Sequence, residues 1–205
     1  MGKVKFSSGN SKMGSIPSVS LPAKKTCREC ACWNKCYAAK LERLRPSVRN
    51  AYQNNLDVYN EDPDTYWREV EGQVMLSRFF RFHVSGDIPD VFYLDRMIGV
   101  ASRNPHCQIL CFTKRYDIVN KLIYKQSTDG MAHLPENLHL IFSAWPGLTM
   151  SNPYNFPEAH VLFRDGTTTA REDAIPCGGN CTECAVTDSG CWTLKRGEQI
   201  VFKEH

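Results

Sequence analysis

The stretch FFRFHVSGDIPDVFYLDRMIGVASRNPHCQILCF, residues 79–112, decides the fold. Within it, residues 79–84 predict a short apolar strand, residues 90–103 an amphipathic helix and residues 107–112 a second apolar strand. Apolar strands that alternate with amphipathic helices are typical of β-α-β units. The stretch therefore predicts an α/β fold with a parallel sheet that is buried on both faces.

The same alternation continues toward the end of the chain. Helical spacing returns at residues 116–126. Further strands are predicted at residues 138–143, 159–163 and 199–202. We find no internal repeat in this pattern. The order of the elements predicts a partial (β/α) barrel-like parallel sheet.

Helices are also predicted before the sheet begins. Residues 38–60 have helical spacing, and Pro46 marks a kink or a break between two helices. Asp62 is placed to cap a further helix, with Pro63 at its first position. These helices precede the first β-α-β unit in the chain.

The composition indicates one globular unit. The chain has 205 residues, of which 42% are hydrophobic, and a formal net charge of +3, which excludes a disordered chain. We predict an extended arm at residues 1–26 and a single domain at residues 27–205. No apolar run approaches the roughly 18 residues of a membrane helix, and the start lacks the apolar segment of an export signal. We therefore expect a cytoplasmic protein with no membrane contact.

Cysteine is unusually frequent and clustered, with ten in 205 residues. One group lies within residues 27–36 and another within residues 177–191, and we predict both to be metal-binding loops. A chain large enough to build its own core in a reducing compartment has little need of disulfides. The predicted metal ligands are Cys27, Cys30, Cys32, Cys36, Cys177, Cys181, Cys184 and Cys191.

The group at residues 177–191 has the spacing of a loop that wraps a metal centre. Gaps of three, two and six residues separate its four cysteines, with glycines between the first two. Four thiolates suit a 4Fe-4S cluster or a tetrahedral zinc ion. Structural zinc sites usually use two Cys-x2-Cys pairs set well apart, so this spacing favours the cluster over zinc and over free or paired thiols.

The group at residues 27–36 is denser, with four cysteines in ten residues and polar residues between them. A buried element would not carry such polar residues, which again favours ligation. Only one residue separates Cys30 from Cys32, so simultaneous ligation of one cluster by both is awkward and one cysteine is free to be a bystander. Cys107 and Cys111 lie in a predicted strand and are simpler to interpret as small buried apolar residues.

Polar residues follow three of the predicted strands at equivalent positions, the third set being Ser143, Ala144 and Trp145. Ser85, Gly86 and Asp87 follow the first strand. Lys114 and Arg115 follow the second. Ligands of parallel α/β sheets bind at the carboxyl ends of the strands. The glycine permits close approach to the backbone, the carboxylate suits an ammonium or ribose hydroxyls, and the two cations suit an anionic substrate.

Each of these assignments has a simpler alternative. Asp87 can cap the next helix, and Lys114 and Arg115 can be solvated. His83 can be a core histidine whose nitrogens are satisfied. The residues themselves leave both interpretations open.

Several segments resemble phage and mobile-element proteins of the gene-product-88 type. They are GNSKMGSIPSVSLPAKKTC (9–27) with CYA (36–38), FHVSGDIPD (82–90), ILCFTKRYDIVNK (109–121), LPENLHLIFSAWPG (134–147) and the cysteine-rich end closing on CW (191–192). More distantly, the loop ending in CYA, the strand with a following aspartate and the later TKR are similar to a phage family placed among radical-SAM-like proteins.

The radical-SAM resemblance implies a partial (β/α) barrel and a 4Fe-4S cluster held by three cysteines of the first loop. It also implies S-adenosylmethionine beside the turn after the next strand, here residues 85–87. The first loop departs from the Cys-x3-Cys-x2-Cys spacing of that superfamily, whereas Cys177, Cys181 and Cys184 match it near the other end. With Cys191 as a fourth ligand, that second cluster would have no open iron for the cofactor.

Two hypotheses about function follow. The first is an iron-sulfur protein of phage or mobile-element origin, with one or two 4Fe-4S clusters, which as an enzyme would be a SAM-dependent radical enzyme. The second is a non-catalytic accessory protein whose centres, iron-sulfur or zinc, are structural. Its surface would bind nucleic acid or a phage or host protein such as a recombinase. The candidate basic face for nucleic acid consists of Lys3, Lys5, Lys12, Lys24, Lys25, Arg43, Arg45 and Arg49.

Overall fold

The computed structural model describes residues 2–27, 30–126 and 134–204. Eight strands within these residues form one sheet. They are β1 (Phe6–Ser7), β2 (Ser18–Val19), β3 (Phe79–Phe82), β4 (Gln108–Thr113), β5 (Leu138–Ser143), β6 (Glu158–Leu162), β7 (Ile175–Pro176) and β8 (Gln199–Lys203). Their order in the sheet is β1-β2-β3-β4-β5-β6-β8-β7.

The helices mostly fill the connections between these strands. They are α1 (Ala23–Thr26), α2 (Tyr37–Leu44), α3 (Pro46–Glu61), α4 (Pro63–Met75), α5 (Val91–Arg103), α6 (Tyr116–Gln126) and α7 (Cys181–Val186), with 3-10 helices at Trp33–Lys35 and Gly190–Trp192. The predicted break at Pro46 is confirmed, because α2 ends at Leu44 and α3 begins at that proline. The predicted cap is also confirmed, because the Asp62 carboxylate accepts from the Thr65 N–H at 3.0 Å.

The sheet is mostly parallel, as the sequence predicts, and it is open. Each strand from β2 to β5 pairs in parallel with the next strand along the chain, and β6 pairs in parallel with β8. Only β1 pairs antiparallel, with β2, among the described strands. β1 and β7 lie at the two edges of the sheet and do not pair with each other, so the sheet does not close into a barrel. The predicted α/β class is confirmed. The predicted partial barrel is instead an open sheet whose strands lie mostly in chain order.

Residues 1–26, predicted as an extended arm, instead contribute to the sheet. Val19 of β2 lies opposite Phe82 of β3 in parallel register. The buried Asn55 of α3 fastens this segment, because its side-chain amide donates to Lys5 O at 2.8 Å and to Ser20 O at 3.0 Å. Two-residue strands give little periodicity, so their membership of the sheet depends on these distant partners.

Each face of the sheet has its own apolar cluster. On one face, α3 to α6 pack against β3, β4 and β5, and the hydroxyls of Tyr66 and Tyr93 are hydrogen-bonded at 2.7 Å within that layer. On the opposite face, here called the inner face, Trp192 and Ala185 of the C-terminal segment pack near Leu110 and Ile141. Among the described residues, no helix combines the length and apolar character needed to cross a membrane.

Candidate functional site

Asp87 joins the carboxyl ends of β3 and β4. One of its carboxylate oxygens accepts from Thr113 Oγ1 at 2.6 Å and from Ile88 N at 2.8 Å, and the other accepts from Lys114 N at 2.8 Å. Burial raises the pKa of Asp87 above its usual range, while these hydrogen bonds act in the opposite direction. The predicted ligand-binding carboxylate is therefore engaged by the protein itself.

The turn before Asp87 presses closely against the start of the first cysteine loop. Gly86 has φ of +79°, and a Cβ at this position would lie 2.5 Å from Leu21 O. The Asp87 N–H donates to Thr26 Oγ1 at 3.0 Å. Thr26 immediately precedes Cys27, so this contact positions the cysteine loop over the carboxyl edge.

Glu42 is a buried acid that the sequence analysis did not single out. Its Oε1 accepts from Ser85 Oγ at 2.6 Å and from Ala23 N at 2.9 Å, so it links α2 to the Ser85 turn and to the start of α1. The signal for it was its place one turn after Ala38 on the buried face of α2. Ser85 and Glu42 thus form a second polar connection between the cysteine loop and the sheet.

In the first group, the thiol of Cys32 contacts those of Cys30 and Cys36. The sulfurs of Cys30 and Cys32 are 2.7 Å apart. The Cys32 thiol hydrogen-bonds to Cys30 and Cys36, which lowers the pKa of each of those two thiols to about 6 and raises that of Cys32. Cys36 also caps α2, where its sulfur accepts from Ala39 N at 3.5 Å. Burial and the nearby Asp87 raise the pKa of Cys27 above its usual range.

Lys114 places a positive charge beside these thiols. It follows β4, is half-buried, and its Nζ lies 5.9 Å from the centroid of the Trp145 ring. Burial alone would lower its pKa, but the electrostatic effect of Cys32, Cys30 and Asp87 raises the pKa above its usual value. The predicted binding residue Lys114 therefore interacts electrostatically with the first cysteine group.

Arg115 turns away from that group. Its guanidinium donates to the carbonyls of Ile88 at 3.0 Å and Pro89 at 3.1 Å and to both carboxylate oxygens of Asp117. These contacts hold the loop after β3 against the start of α6. The structure accordingly separates Lys114 and Arg115, which the sequence analysis treated as one substrate-binding pair.

The second cysteine group covers the inner face of the sheet. Cys177 N donates to Val201 O of β8 and Cys181 N donates to Lys12 O, each at 2.9 Å. The Trp192 ring lies edge-on to Phe79, with centroids 5.1 Å apart. All four cysteines of this group pack against the apolar inner cluster. Burial raises the pKa of Cys191 to about 12.

Arg81 lies on the inner face, where its charge acts on residues of the second cysteine group and on Tyr37. Its guanidinium carbon sits 4.9 Å from the centroid of the Phe112 ring. Burial raises the pKa of Cys181, Cys191 and Tyr37, and the positive charge of Arg81 partly offsets that rise in each case. Tyr37 is the residue after Cys36. An arginine between apolar neighbours on a strand was the available sequence signal for this inward cation.

Three further residues of the predicted set are buried in the core layer. His83 has φ of +60° and is buried, as the core-histidine interpretation expects, but that interpretation is wrong about its nitrogens, because neither has a hydrogen-bond partner among the described residues. Burial, with a smaller effect of Arg81, lowers the pKa of His83 to about 3. Cys107 and Cys111 are fully buried, and burial raises the pKa of both. Their surroundings match the interpretation of these two cysteines as apolar core residues.

The thiols are suitable donor atoms for a metal, but their side chains are not arranged around a common metal position. As the side chains stand, no set of three or more His, Cys, Asp or Glu residues in the described part of the chain is arranged to hold a metal ion. Two thiolates bound 2.3 Å from one tetrahedral metal lie about 3.8 Å apart, so Cys30 and Cys32 would have to separate by side-chain rotation. Their soft donor atoms suit zinc and iron-sulfur clusters.

Fold and site together define a class: single-sheet α/β proteins with cysteines grouped at one edge of the sheet and on its inner face. The chain belongs to the Gene product 88 family, whose model matches residues 3–186. The match therefore includes the first cysteine group and Cys177, Cys181 and Cys184 but ends before Cys191.

A phage protein is similar over most of its length. The "Gene 88 protein" of Mycobacterium phage L5 is 24% identical over 191 residues, which cover 85% of this chain and 77% of that protein. No solved structure matches the chain. These findings confirm the gene-product-88 resemblance. They do not reach the more distant radical-SAM resemblance, which stays a prediction.

Proposed function

We propose that this protein is an iron-sulfur protein whose first cysteine group holds a redox-active cluster. The observation that carries the proposal is the meeting of Cys30, Cys32 and Cys36 beside Lys114 at the carboxyl ends of β3 and β4. This edge is where parallel sheets bind ligands. Thiolates are the ligands of such clusters, and adjacent charges and hydrogen bonds tune their potential.

The protein's own residues would prepare this site in two ways. Thr26 and Asp87 hold the cysteine loop against the sheet, and the Ala39 N–H supports the Cys36 sulfur. Lys114 compensates the negative charge of the thiolates. A bound 4Fe-4S cluster would supply one-electron chemistry. Zinc is the alternative metal for the same donors and would supply no redox function.

The enzyme form of the proposal adds S-adenosylmethionine beside residues 85–87. It is supported by the chain order of cysteine loop, strand and Ser-Gly-Asp turn, together with the position of that turn next to the first group. The side chains of Ser85 and Asp87 already have partners within the protein. Lys114 is therefore the predicted binding side chain best placed toward an anionic substrate.

The second group supports a different role. Its four cysteines are partly buried and pack against the apolar inner cluster, and backbone N–H groups of its loop donate hydrogen bonds to carbonyls of β8 and Lys12. We propose that a metal there, iron-sulfur or zinc, fastens the C-terminal segment to the inner face, because metal binding can order a loop that has little core of its own. If both centres are of this kind, the protein is an accessory factor rather than an enzyme.

Anaerobic reconstitution with iron and sulfide tests the cluster proposal. We expect iron and sulfide in the purified protein, visible absorbance from sulfur-to-iron charge transfer, and an EPR signal after reduction. A double Cys30→Ser/Cys36→Ser variant should lose the part of the iron bound at the carboxyl edge. The matched control is Cys107→Ala, which removes a core thiol and should keep the full iron content. A preparation that takes up zinc alone would contradict the proposal.

The enzyme form needs a separate assay. Reduced, cluster-loaded protein incubated with S-adenosylmethionine should release 5′-deoxyadenosine. A fully loaded protein that releases none would exclude the radical enzyme and leave the accessory function. The two assays therefore distinguish failure of the metal centre from failure of the chemistry assigned to it.

A further inference from the structure

We infer that the surface of α1, α2 and the first turn of α3 binds single-stranded nucleic acid. This surface, here called the basic rim, borders the first cysteine group. Its members are Lys24, Lys25, Lys40, Arg43, Arg45 and Arg49, with the aromatic residues Trp33 and Tyr37. The inference goes beyond the proposed metal chemistry and does not depend on it.

Charge is distributed very unevenly along this chain. Residues 24–49 hold eight of the 25 lysines and arginines but only two of the 22 acids. Because the whole chain carries only +3, the remainder is net negative. One of the two acids, Glu42, is buried against Ser85 and Ala23 and does not offset charge at the surface. A nearly neutral protein thus concentrates its positive charge in one region.

The cations of the basic rim are exposed and unneutralised. All six have exposed side chains, and none forms an ion pair with another described residue. Lys35 of the same segment does pair, with Glu204 at 3.2 Å, and is left out of the rim for that reason. Clustered cations of this kind neutralise phosphates of a nucleic acid and release the counterions condensed around them, which makes the binding depend on salt concentration.

Two exposed aromatic rings favour a single strand over a duplex. Trp33 is 37% and Tyr37 is 45% exposed. The Lys24 Nζ lies 4.9 Å from the Trp33 ring centroid, and the Tyr37 hydroxyl donates to Val84 O at 2.5 Å, so each ring has a contact that orders it. Aromatic rings interleaved with cations bind the unstacked bases and the phosphates of single strands. A duplex hides the base faces that such rings contact.

The basic rim also lies next to the candidate metal centre. Trp33 and Tyr37 are close in sequence to Cys36, and Lys114 adds a further positive charge beside the thiols. A strand bound along the rim would therefore pass the first cysteine group. Nucleic acid is accordingly the substrate or partner class that the surroundings of this group favour.

Fluorescence anisotropy with the full chain tests the inference directly. The probes are labelled single strands of DNA and of RNA, about 20 nucleotides long so that they exceed one binding site. A duplex of the same length, heparin and anionic lipid vesicles serve as competitors. We expect tightest binding to one or both single strands, with affinity that falls steeply as salt rises.

Matched variants locate the binding surface. Arg43→Gln/Arg49→Gln should weaken binding about tenfold and reduce the salt slope by about 1.4, since each single-strand phosphate contact contributes about 0.7. The control Lys121→Gln/Lys125→Gln removes two exposed cations from α6 and should change affinity less than about twofold. Trp33→Ala should weaken binding about tenfold while Trp33→Phe retains it.

The same experiments can overturn the inference. Absence of binding at low salt, equal losses in the rim and control variants, or tighter binding to the duplex, to heparin or to vesicles would each do so. Metal content is measured for every variant. An unaltered protein that holds metal but binds no strand contradicts this inference alone, whereas an unaltered protein that binds a strand but takes up no metal contradicts only the proposed function.

Discussion

The two cysteine groups carry the same donor atoms in opposite surroundings. Polar contacts from Thr26, Glu42 and Asp87 hold the first group at the carboxyl edge, where Lys114 supplies a positive charge. The second group lies on the inner face, where the Trp192 ring packs on Phe79 and the thiols contact apolar side chains. The first group lowers the pKa of two of its thiols, whereas burial raises that of Cys191.

This difference shows that surroundings, rather than cysteine count and spacing, separate the two groups. A set of thiols beside a cation suits a reacting centre, because its negative charge is compensated. A set of thiols packed against apolar side chains suits a structural centre, because its chief effect is to order the chain.

Trp192→Ala should be the most destabilising of the four changes. The ring is buried, and truncation of a buried tryptophan costs about 3–5 kcal/mol of unfolding free energy. Chemical denaturation measures this loss. The exposed Trp33→Ala is the control and should cost less than about 1 kcal/mol. Equal losses for the two variants would show that Trp192 does not anchor the second group.

Asp87→Ala tests the polar attachment of the first group. The change leaves the Thr113 hydroxyl and the Ile88 and Lys114 amides without their acceptor, which should cost about 3 kcal/mol. Alkylation of the first-group thiols should accelerate as the loop loosens. Asp173→Ala removes an exposed carboxylate and should cost less than about 1 kcal/mol. Unchanged thiol reactivity in Asp87→Ala would refute the attachment.

His83 should make the stability depend on pH. Its pKa is lowered to about 3 in the folded state, against about 6.5 in the unfolded chain, so the fold favours the neutral ring. The contribution is complete above pH 6.5 and is lost as the pH falls toward 3, by about 2–4 kcal/mol in total.

The His83 contribution can be isolated by one substitution. Asparagine tolerates the positive φ at this position and does not titrate. His83→Asn should therefore flatten the dependence of unfolding free energy on pH between about 6.5 and 4. An unaltered slope in this variant would mean that other groups produce the pH dependence.

Lys114→Gln should have the smallest effect. Removing this cation raises the pKa of Cys30, so alkylation of the metal-free protein near pH 6 should slow by roughly two- to fivefold. Lys12→Gln, beside the second group, is the control and should leave this rate unchanged. A slower rate in both variants would show a general charge effect and no special relation between Lys114 and the first group.

The central part of the fold follows from local pattern. The helix Tyr116–Gln126 and the strand Leu138–Ser143 occur where periodicity predicts them, because both bury a regular apolar set. The strands β1, β2 and β7 have two residues each, which is too short for a pattern, and they form through pairing with distant segments.

The site is harder to predict because its side chains form hydrogen bonds with residues that are distant in sequence. Asp87 was predicted to hold a ligand, yet Thr113 and the Lys114 amide occupy its oxygens. Residues 113 and 114 reach it only because β3 and β4 lie side by side. Glu42 was missed for the same reason, since its partner Ser85 is 43 positions away. The two cysteine groups could be predicted because the members of each group are close together in the sequence.

X-ray absorption at the iron and zinc edges of anaerobically purified protein determines whether the cysteines hold an iron-sulfur cluster. We expect iron with sulfur neighbours at about 2.3 Å and a nearby second iron. We also expect that Cys30→Ser/Cys36→Ser removes part of this signal while Cys107→Ala leaves it intact. A protein without bound metal, or one in which the first-group cysteines are joined as disulfides, would contradict it.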